Sequence, residues 1–318
     1  MKKLLFLLIF LGGATAFAYF KAVQIIHTPI PVYENVIVQI PSGASLEKID
    51  AILEDAKLIE YRYYFLLYAK FNRIYPRIKA GEYLVEHDVS LTQLAELLAS
   101  GKLYMRKITF PEGKTSCEIG KILQNNNLLD GKFNLPDEGT ILPETYTFSR
   151  GENRQKIIEQ GQRAMAYVLE QAWQERDAGL PLKNKEEMLI LASIVEKETG
   201  VASERPQVAS VFINRLRKGM LLQTDPTVIY ALTLGKKDLG RALTRRDLEI
   251  DSPYNTYKYA GLPPTPICNP GKAAIMAVAH PDKTPYLYFV ASGTGGHNFA
   301  RTLNEHNANV QKWRRFNK

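Results

Sequence analysis

The chain has 318 residues, of which 45% are hydrophobic and 23% charged. That length suits two domains, and that balance excludes a disordered, collagen-like or polytopic membrane protein. Lys and Arg number 41 against 33 Asp and Glu, a net charge of +8, which suits nucleic acid, acidic lipid or an anionic polymer, or simply a place beside an acidic membrane. No RNP-like or zinc-finger pattern accompanies the charge, so nucleic acid is not expected as a partner. The two cysteines, Cys117 and Cys268, lack C-x-x-C spacing. They exclude zinc ribbons and disulfide scaffolds and leave either one disulfide or two unpaired core thiols.

Lys2 and Lys3 precede 17 uncharged residues, Leu4 to Phe20. As a helix these span roughly 26 Å, close to a hydrocarbon core. The lysines place the N-terminus in the cytoplasm, so the body beyond about residue 30 is exported. Ala14-Thr15-Ala16 and Ala16-Phe17-Ala18 are A-x-A sites that would suit a cleaved signal. Apolar character running on to Phe20 favours an uncleaved transmembrane anchor over residues 1–21.

VQIPSGASLEKIDAIL (38–53) aligns with ITFPEGKTSCEIGKIL (108–123) at a constant offset of 70 residues. Each copy predicts a strand, a Pro-x-Gly turn, a Ser/Thr N-cap and an amphipathic helix. Thr115 with Glu118 makes a capping box, and Ser90 with Gln93 makes another in the related segment 80–98. Such units resemble LysM-like glycan-binding modules; a plain α+β packing domain is the alternative. Tyr61, Tyr64, Phe65, Tyr68, Phe71 and Tyr75 recur at near-helical spacing, which points to core more than to a sugar platform. DEGTILPETYTFSRG (137–151) predicts a strand-turn joint.

Beyond it, residues 152–176 predict a long amphipathic helix with Ile158, Met165, Leu169 and Trp173 along one side, ended by Gly179-Leu180-Pro181. Glu186 to Thr199 is the next helix, with Gly200 expected as its left-handed C′ residue. At about 100° per residue, Glu198 falls inside the apolar arc between Leu191 and Ile194, while Glu196 and Lys197 fall away from its centre. A carboxyl on a packed face loses water, its pKa rises, and it becomes a proton donor near neutrality. A buried ion pair with Arg205 or Arg215 is the other reading of Glu198. Further on come a helix over 208–216 and Asp225-Pro226, which fit N-cap and N1. They are followed by a 20-residue loop rich in Pro and Tyr (252–271), a buried helix (272–281), a buried strand (284–291) and a glycine-rich turn (292–300). Long ordered loops tend to be functional. His280, His297 and His306 lack compact metal-ligand spacing, so no metal is expected.

ASIVEKET, VASERPQVASVFINRL, MLLQTDPTVIYAL, YNTYKYAGLPPTPICNPG, AHPDKTPYLYFVA and GGHNF together resemble the endolytic murein transglycosylase (MltG or YceG-like) family, densely over 180–310 and more loosely over 35–150. The resemblance implies a lytic enzyme on peptidoglycan glycan strands. It would cleave the MurNAc–GlcNAc β-1,4 bond without water and leave a 1,6-anhydro-MurNAc end. The family's essential glutamate corresponds to the second Glu of the E-K-E triplet, Glu198, and Glu198-Thr199 is similar to the Glu-Ser pair of other lytic transglycosylases. One carboxyl then suffices, because the substrate's own C6 hydroxyl is the nucleophile, and no cofactor is implied. Gln223, Tyr254, Asn255 and Tyr257 are candidate sugar contacts, with loop packing as the alternative. A link to penicillin-binding peptidoglycan synthases is implied by resemblance only. The expected architecture is α+β. It comprises an N-terminal membrane helix over 1–21, LysM-like strand-turn-helix units over 35–150, and a mixed α/β catalytic domain over 151–318, outside the cytoplasmic (inner) membrane. Rival readings are a hydrolytic muramidase with Asp225 as second carboxylate, and a tethered peptidoglycan-binding module without catalysis.

Overall fold

The computed structural model describes residues 2–30, 34–60 and 62–316. Tyr61, the first of the aromatic series, lies outside them, as do Met1 of the expected anchor and residues 317–318. The chain is mixed α+β and forms two compact units, Met1–Arg106 with Thr147–Gly151, and Lys107–Tyr146 with Glu152–Lys318. The region expected over 35–150 is therefore divided at Arg106, and the two repeat copies fall in different units. The tie is local. Asn269 reaches the second copy's turn, its Nδ2 donating to the Lys114 carbonyl at 3.0 Å and its Oδ1 accepting from the Ile141 N–H at 2.9 Å.

The first unit begins with α1 (Lys2–His27), one uninterrupted helix of 26 residues. Residues 3–21 are exposed, whereas Ala22, Val23, Ile25 and Ile26 are half-buried. Ile26 and Ile30 pack against the unit's core, and the Ile30 N–H donates to the Val89 carbonyl at 2.9 Å. β1 (Val36–Ile40) pairs antiparallel with β2 (Gly81–Val85) in the register Val36↔Val85 to Ile40↔Gly81. α2 (Leu46–Asp55), α3 (Arg62–Phe71) and α4 (Leu91–Ser100) supply the rest of the core, with Leu53, Phe65, Leu94 and Leu98 fully buried beside Tyr83. Ser45 caps α2, and Ser90 with Gln93 forms the expected capping box of α4. The aromatic series is core only in part. Phe65 is buried, Tyr64 and Tyr68 are half-buried, and Phe71 and Tyr75 are exposed.

The second unit opens with the second repeat copy, β3 (Arg106–Thr109) leading to α5 (Ser116–Asn125), whose Thr115–Glu118 capping box is complete. β4 (Thr145–Phe148), whose last two residues count with the first unit, follows at the expected joint. α6 (Arg154–Glu175), α7 (Lys185–Glu198), α8 (Arg205–Arg217) and α10 (Lys272–Ala279) enclose a core of Met165, Met188, Leu191, Ile194, Phe212 and Val278. Between them lie α9 (Asp225–Thr233) and the long loop. α7 is buried all round from Met188 to Val195, so only its first and last turns emerge. It ends on Thr199 in an extended conformation, and Gly200 is not left-handed, contrary to the expected C′ glycine. The Thr199 hydroxyl accepts from the Val201 N–H at 3.0 Å and turns the chain instead.

The expected buried strand is β5 (Tyr288–Ala291), half-buried over Tyr288 to Val290 and exposed at Ala291, and the glycine-rich turn leads into β6 (His297–Ala300). They form a hairpin, Tyr288↔Ala300 to Ala291↔His297, on which α11 (Leu303–Phe316) packs. Both cysteines are free thiols, Cys268 buried and Cys117 half-buried.

Candidate active site

The last turn of α7 carries two carboxylates with different fates. Glu196 Oε1 accepts from Arg205 at 3.2 Å and its Oε2 accepts from the Gly271 N–H at 2.9 Å; the two side chains are only 5% and 11% exposed. The ion pair weighed for Glu198 with Arg205 thus belongs to Glu196, two residues earlier. Burial raises the Glu196 pKa, while the Gly271 N–H and Arg205 oppose the rise.

Glu198 lies half-buried in a cavity of about 460 Å³ in the second unit, lined also by Arg215, Gln223, Asp225, Tyr257, Tyr288 and His306. The Thr224 hydroxyl donates to its Oε1. Burial pushes the Glu198 carboxyl above the ordinary range; the Thr224 hydrogen bond opposes that, and the charge of Asp225 reinforces it. Thr224 is itself fixed beneath the cavity. Its N–H donates to Thr256 Oγ1 at 3.1 Å, its carbonyl accepts from Thr227 Oγ1 at 2.7 Å, and Thr227 and Thr256 hydroxyls meet at 2.8 Å. Burial with one fixed donor leaves a carboxyl able to give and retake a proton.

Asp225 is not the expected N-cap. Thr224 holds that position without a side-chain cap, and Asp225 is the first residue of α9. Its exposed carboxylate accepts from the Tyr257 hydroxyl at 2.6 Å. Burial and that hydrogen bond push the Tyr257 phenol well up, so it stays protonated. Gln223 lines the cavity from a left-handed backbone, φ 48°, which its N–H supports by donating to the Thr256 carbonyl at 3.1 Å. A non-glycine residue held there marks a turn whose shape the surroundings enforce.

The other two candidates are placed elsewhere. Asn255 is fully buried, its Nδ2 donating to the carbonyls of Leu248 at 2.9 Å and Ile250 at 2.8 Å and its Oδ1 accepting from the Tyr257 N–H at 3.0 Å. It shapes the loop that presents Tyr257. Tyr254 packs on Tyr230, ring centroids 4.9 Å apart, and its hydroxyl meets Thr265 Oγ1 at 2.8 Å.

Sequence reasoning did not single out Thr224, weighed Arg215 only as an ion-pair partner of Glu198, and considered His306 only as a metal ligand. Arg215, 8% exposed, donates to the carbonyls of Leu287 and Leu222 at 2.7 Å each, which holds β5 and the segment before Gln223 against α8. His306 comes from α11 and stacks on Tyr288, ring centroids 5.3 Å apart. Burial lowers its pKa and the charge of Arg215 adds to that. A clue to Arg215 was present, since a lone Arg inside the apolar run of α8 must find partners if buried. No comparable signal marks His306.

Residues 38–312 match the model of the YceG-like family. The chain belongs to the YceG-like family. It is 34% identical over 316 residues to the endolytic murein transglycosylase of Bacillus subtilis (strain 168), covering 88% of this chain and 85% of that protein. It is 29% identical over 361 residues to the endolytic murein transglycosylase of Streptococcus pneumoniae serotype 2, covering 95% of this chain but 63% of the pneumococcal protein. A crystal structure of a YceG-like protein from Listeria monocytogenes is 34% identical, with a TM-score of 0.54, and is matched over 86% of this chain and 99% of that one. In this YceG-like chain, as in those matches, the similarity takes in both units, and the resemblance seen in the motifs is that of the family.

Proposed function

We propose that this YceG-like protein is an endolytic peptidoglycan lytic transglycosylase in which Glu198 is the acid and base. The observation that carries the reading is one proton-holding carboxyl, raised by burial and gripped by Thr224 on one oxygen, in an open cavity rimmed by aromatic and hydrogen-bonding side chains. Glu198 first gives its proton to the oxygen of the MurNAc–GlcNAc β-1,4 bond as that bond breaks. The carboxylate then takes the proton of the substrate's C6 hydroxyl as its oxygen closes on C1, which yields a 1,6-anhydro-MurNAc end and a free GlcNAc hydroxyl. Glu198 ends protonated, ready for the next cleavage, and no water enters the balance. Thr224 supports the carboxylate stage, since its hydrogen bond favours the charged form. Gln223 and Tyr257 line the same cavity and would meet the sugar, and the LysM-like reading of the strand-turn-helix units supplies a glycan-facing role for the rest of the chain. α1 anchors the protein in the cytoplasmic membrane with its N-terminus inside and the second unit outside, where nascent strands and their penicillin-binding synthases are.

A second reading has a specific observation in its favour. Asp225 lines the same cavity as Glu198 with an exposed carboxylate, and ordinary glycosidases use two carboxyl groups. In that case Asp225 would activate water. Product mass on uncrosslinked glycan strands decides: anhydro ends support transglycosylation, ends heavier by one water support hydrolysis, and intact strands refute both.

A further inference from the structure

The aromatic series in the first unit leaves a surface that the core does not explain. On α3, Tyr63, Leu67 and Phe71 are 77%, 52% and 82% exposed. They recur every fourth residue, so they lie along one side of the helix, with exposed Lys70 beside them and buried Phe65 and Ala69 opposite. Three large apolar side chains in a row on a helix otherwise packed by its far side need a partner.

Charge names the chemistry of that partner. Between Glu60 and Glu82 the chain carries Arg62, Lys70, Arg73, Arg77 and Lys79 and no acidic residue. Arg62 is engaged by buried Asp50 at 2.5 Å, but Lys70 and Arg73 at the C-terminal end of α3, and Arg77 and Lys79 in the segment after it, are exposed. Aromatic and leucine side chains on one face with lysine and arginine about them is the composition of a helix lying in an anionic lipid surface.

Position points the same way. α1 is exposed through Lys21, so its contacts with α3 and α4 come from the turns after it. Phe17, Tyr19 and Phe20, 65%, 73% and 67% exposed, form an aromatic belt of the kind found where a span leaves hydrocarbon. From Phe20 to Ile26 the helix rises about 9 Å, a little more than one headgroup layer of roughly 5–7 Å, so the first unit begins at the outer edge of that layer. No linker separates span from unit, because Ile26 and Ile30 already pack on the core. α3 contacts α1 and so lies beside the point where α1 enters the bilayer.

We propose that the Tyr63–Leu67–Phe71 face of α3 rests in the headgroup layer of the bilayer that α1 enters, with the basic residues around it on anionic phospholipid. The proposal rests on α1 being a membrane anchor. It makes the first unit a membrane-seated base rather than a freely swinging tether.

The test uses the full chain in nanodiscs of phosphatidylcholine and phosphatidylglycerol, with and without brominated acyl chains. Trp173 and Trp313 set the baseline, and Tyr63→Trp, Phe71→Trp and Phe10→Trp are each compared with the parent. The expected result is bromolipid quenching of the added emission at all three positions, deepest at Phe10→Trp, with iodide access to Tyr63→Trp and Phe71→Trp at least about twofold lower than in detergent-free urea-unfolded chain. Introducing Leu67→Asp into the Phe71→Trp background should remove the quenching there while leaving Phe10→Trp quenched. If Phe10→Trp is unquenched, the anchor reading fails and the proposal with it. If Phe10→Trp is quenched but Tyr63→Trp and Phe71→Trp stay at baseline, the anchor stands and the seated face is overturned. That holds whether iodide reaches those positions or a protein surface shields them.

Discussion

Burial and one hydroxyl act on Glu198 in opposite directions, and each can be removed separately. Glu198→Gln keeps the shape but has no proton to give, so strand cleavage should fall by about 10²–10⁴-fold. Its stability effect has a definite sign. Burial raises the folded-state pKa, so ionisation costs the folded state more than the unfolded one. The parent therefore loses stability as pH rises from the unfolded carboxyl value through the folded one, and the amide does not. The melting temperature of Glu198→Gln minus that of the parent should be near zero in acid and become positive as pH rises; a constant difference would contradict it. Thr224→Val removes the one hydrogen bond that favours the charged form. The alkaline limb of the pH–rate profile should then move to higher pH, and an unmoved limb would take Thr224 out of the mechanism. Glu196 behaves differently from what the helical wheel implies. It lies off the arc's centre but is buried on Arg205, so Glu196→Gln should cost stability, about 1–3 kcal/mol by denaturant melts, while cleavage per folded molecule stays largely intact. The wheel set Glu196 away from the centre of the apolar arc and could not see its partners, because Arg205 and Gly271 reach it from other elements.

Elements with local signals were legible and those made by contact were not. The offset-70 repeat carried its caps in the sequence, and Ser45, Ser90 and Thr115 each accept the expected backbone N–H. Thr115 does more than cap, since its hydroxyl also donates to the Gly235 carbonyl at 2.7 Å. Thr115→Ala should therefore cost somewhat more than a bare cap, about 1–2 kcal/mol, and Ser45→Ala less; equal losses in urea melts would mean that the Gly235 contact contributes nothing. α11 was missed because LNEHNANVQKWRRF is mostly polar and offers no continuous apolar stripe. Its seat is made by the β5–β6 hairpin, whose second strand was itself read as a turn. The place of His306 in the cavity was hidden for the same reason. Asp225-Pro226 shows the limit of motif reading: the pair does open α9, but one position later than a cap, and that shift turns the carboxylate towards Tyr257 and the cavity.

At the scale of the whole molecule, two large apolar cores among the described residues share no residue. One is built on Val38, Leu53, Phe65 and Leu94, the other on Met165, Leu191, Phe212 and Val278. Every residue lining the Glu198 cavity lies in the second unit. The boundary at Arg106 was hidden from the sequence because the repeat suggested that like segments fold together. Hydrogen bonds from a loop about 150 residues away claim the second copy instead. Two separate cores imply two cooperative melting events, since loss of packing in one removes no contact from the other. Phe65 and Phe212 are 0% and 1% exposed, and Phe→Ala at such sites costs about 3–5 kcal/mol. In calorimetry of the detergent-solubilised full chain, Phe65→Ala should lower one transition by about 10 °C or more and leave the other in place. Phe212→Ala should do the reverse. Cleavage of soluble glycan fragments should then vanish across the transition that Phe212→Ala moves and survive the one that Phe65→Ala moves. A single transition displaced by both substitutions would mean that the two cores unfold as one block.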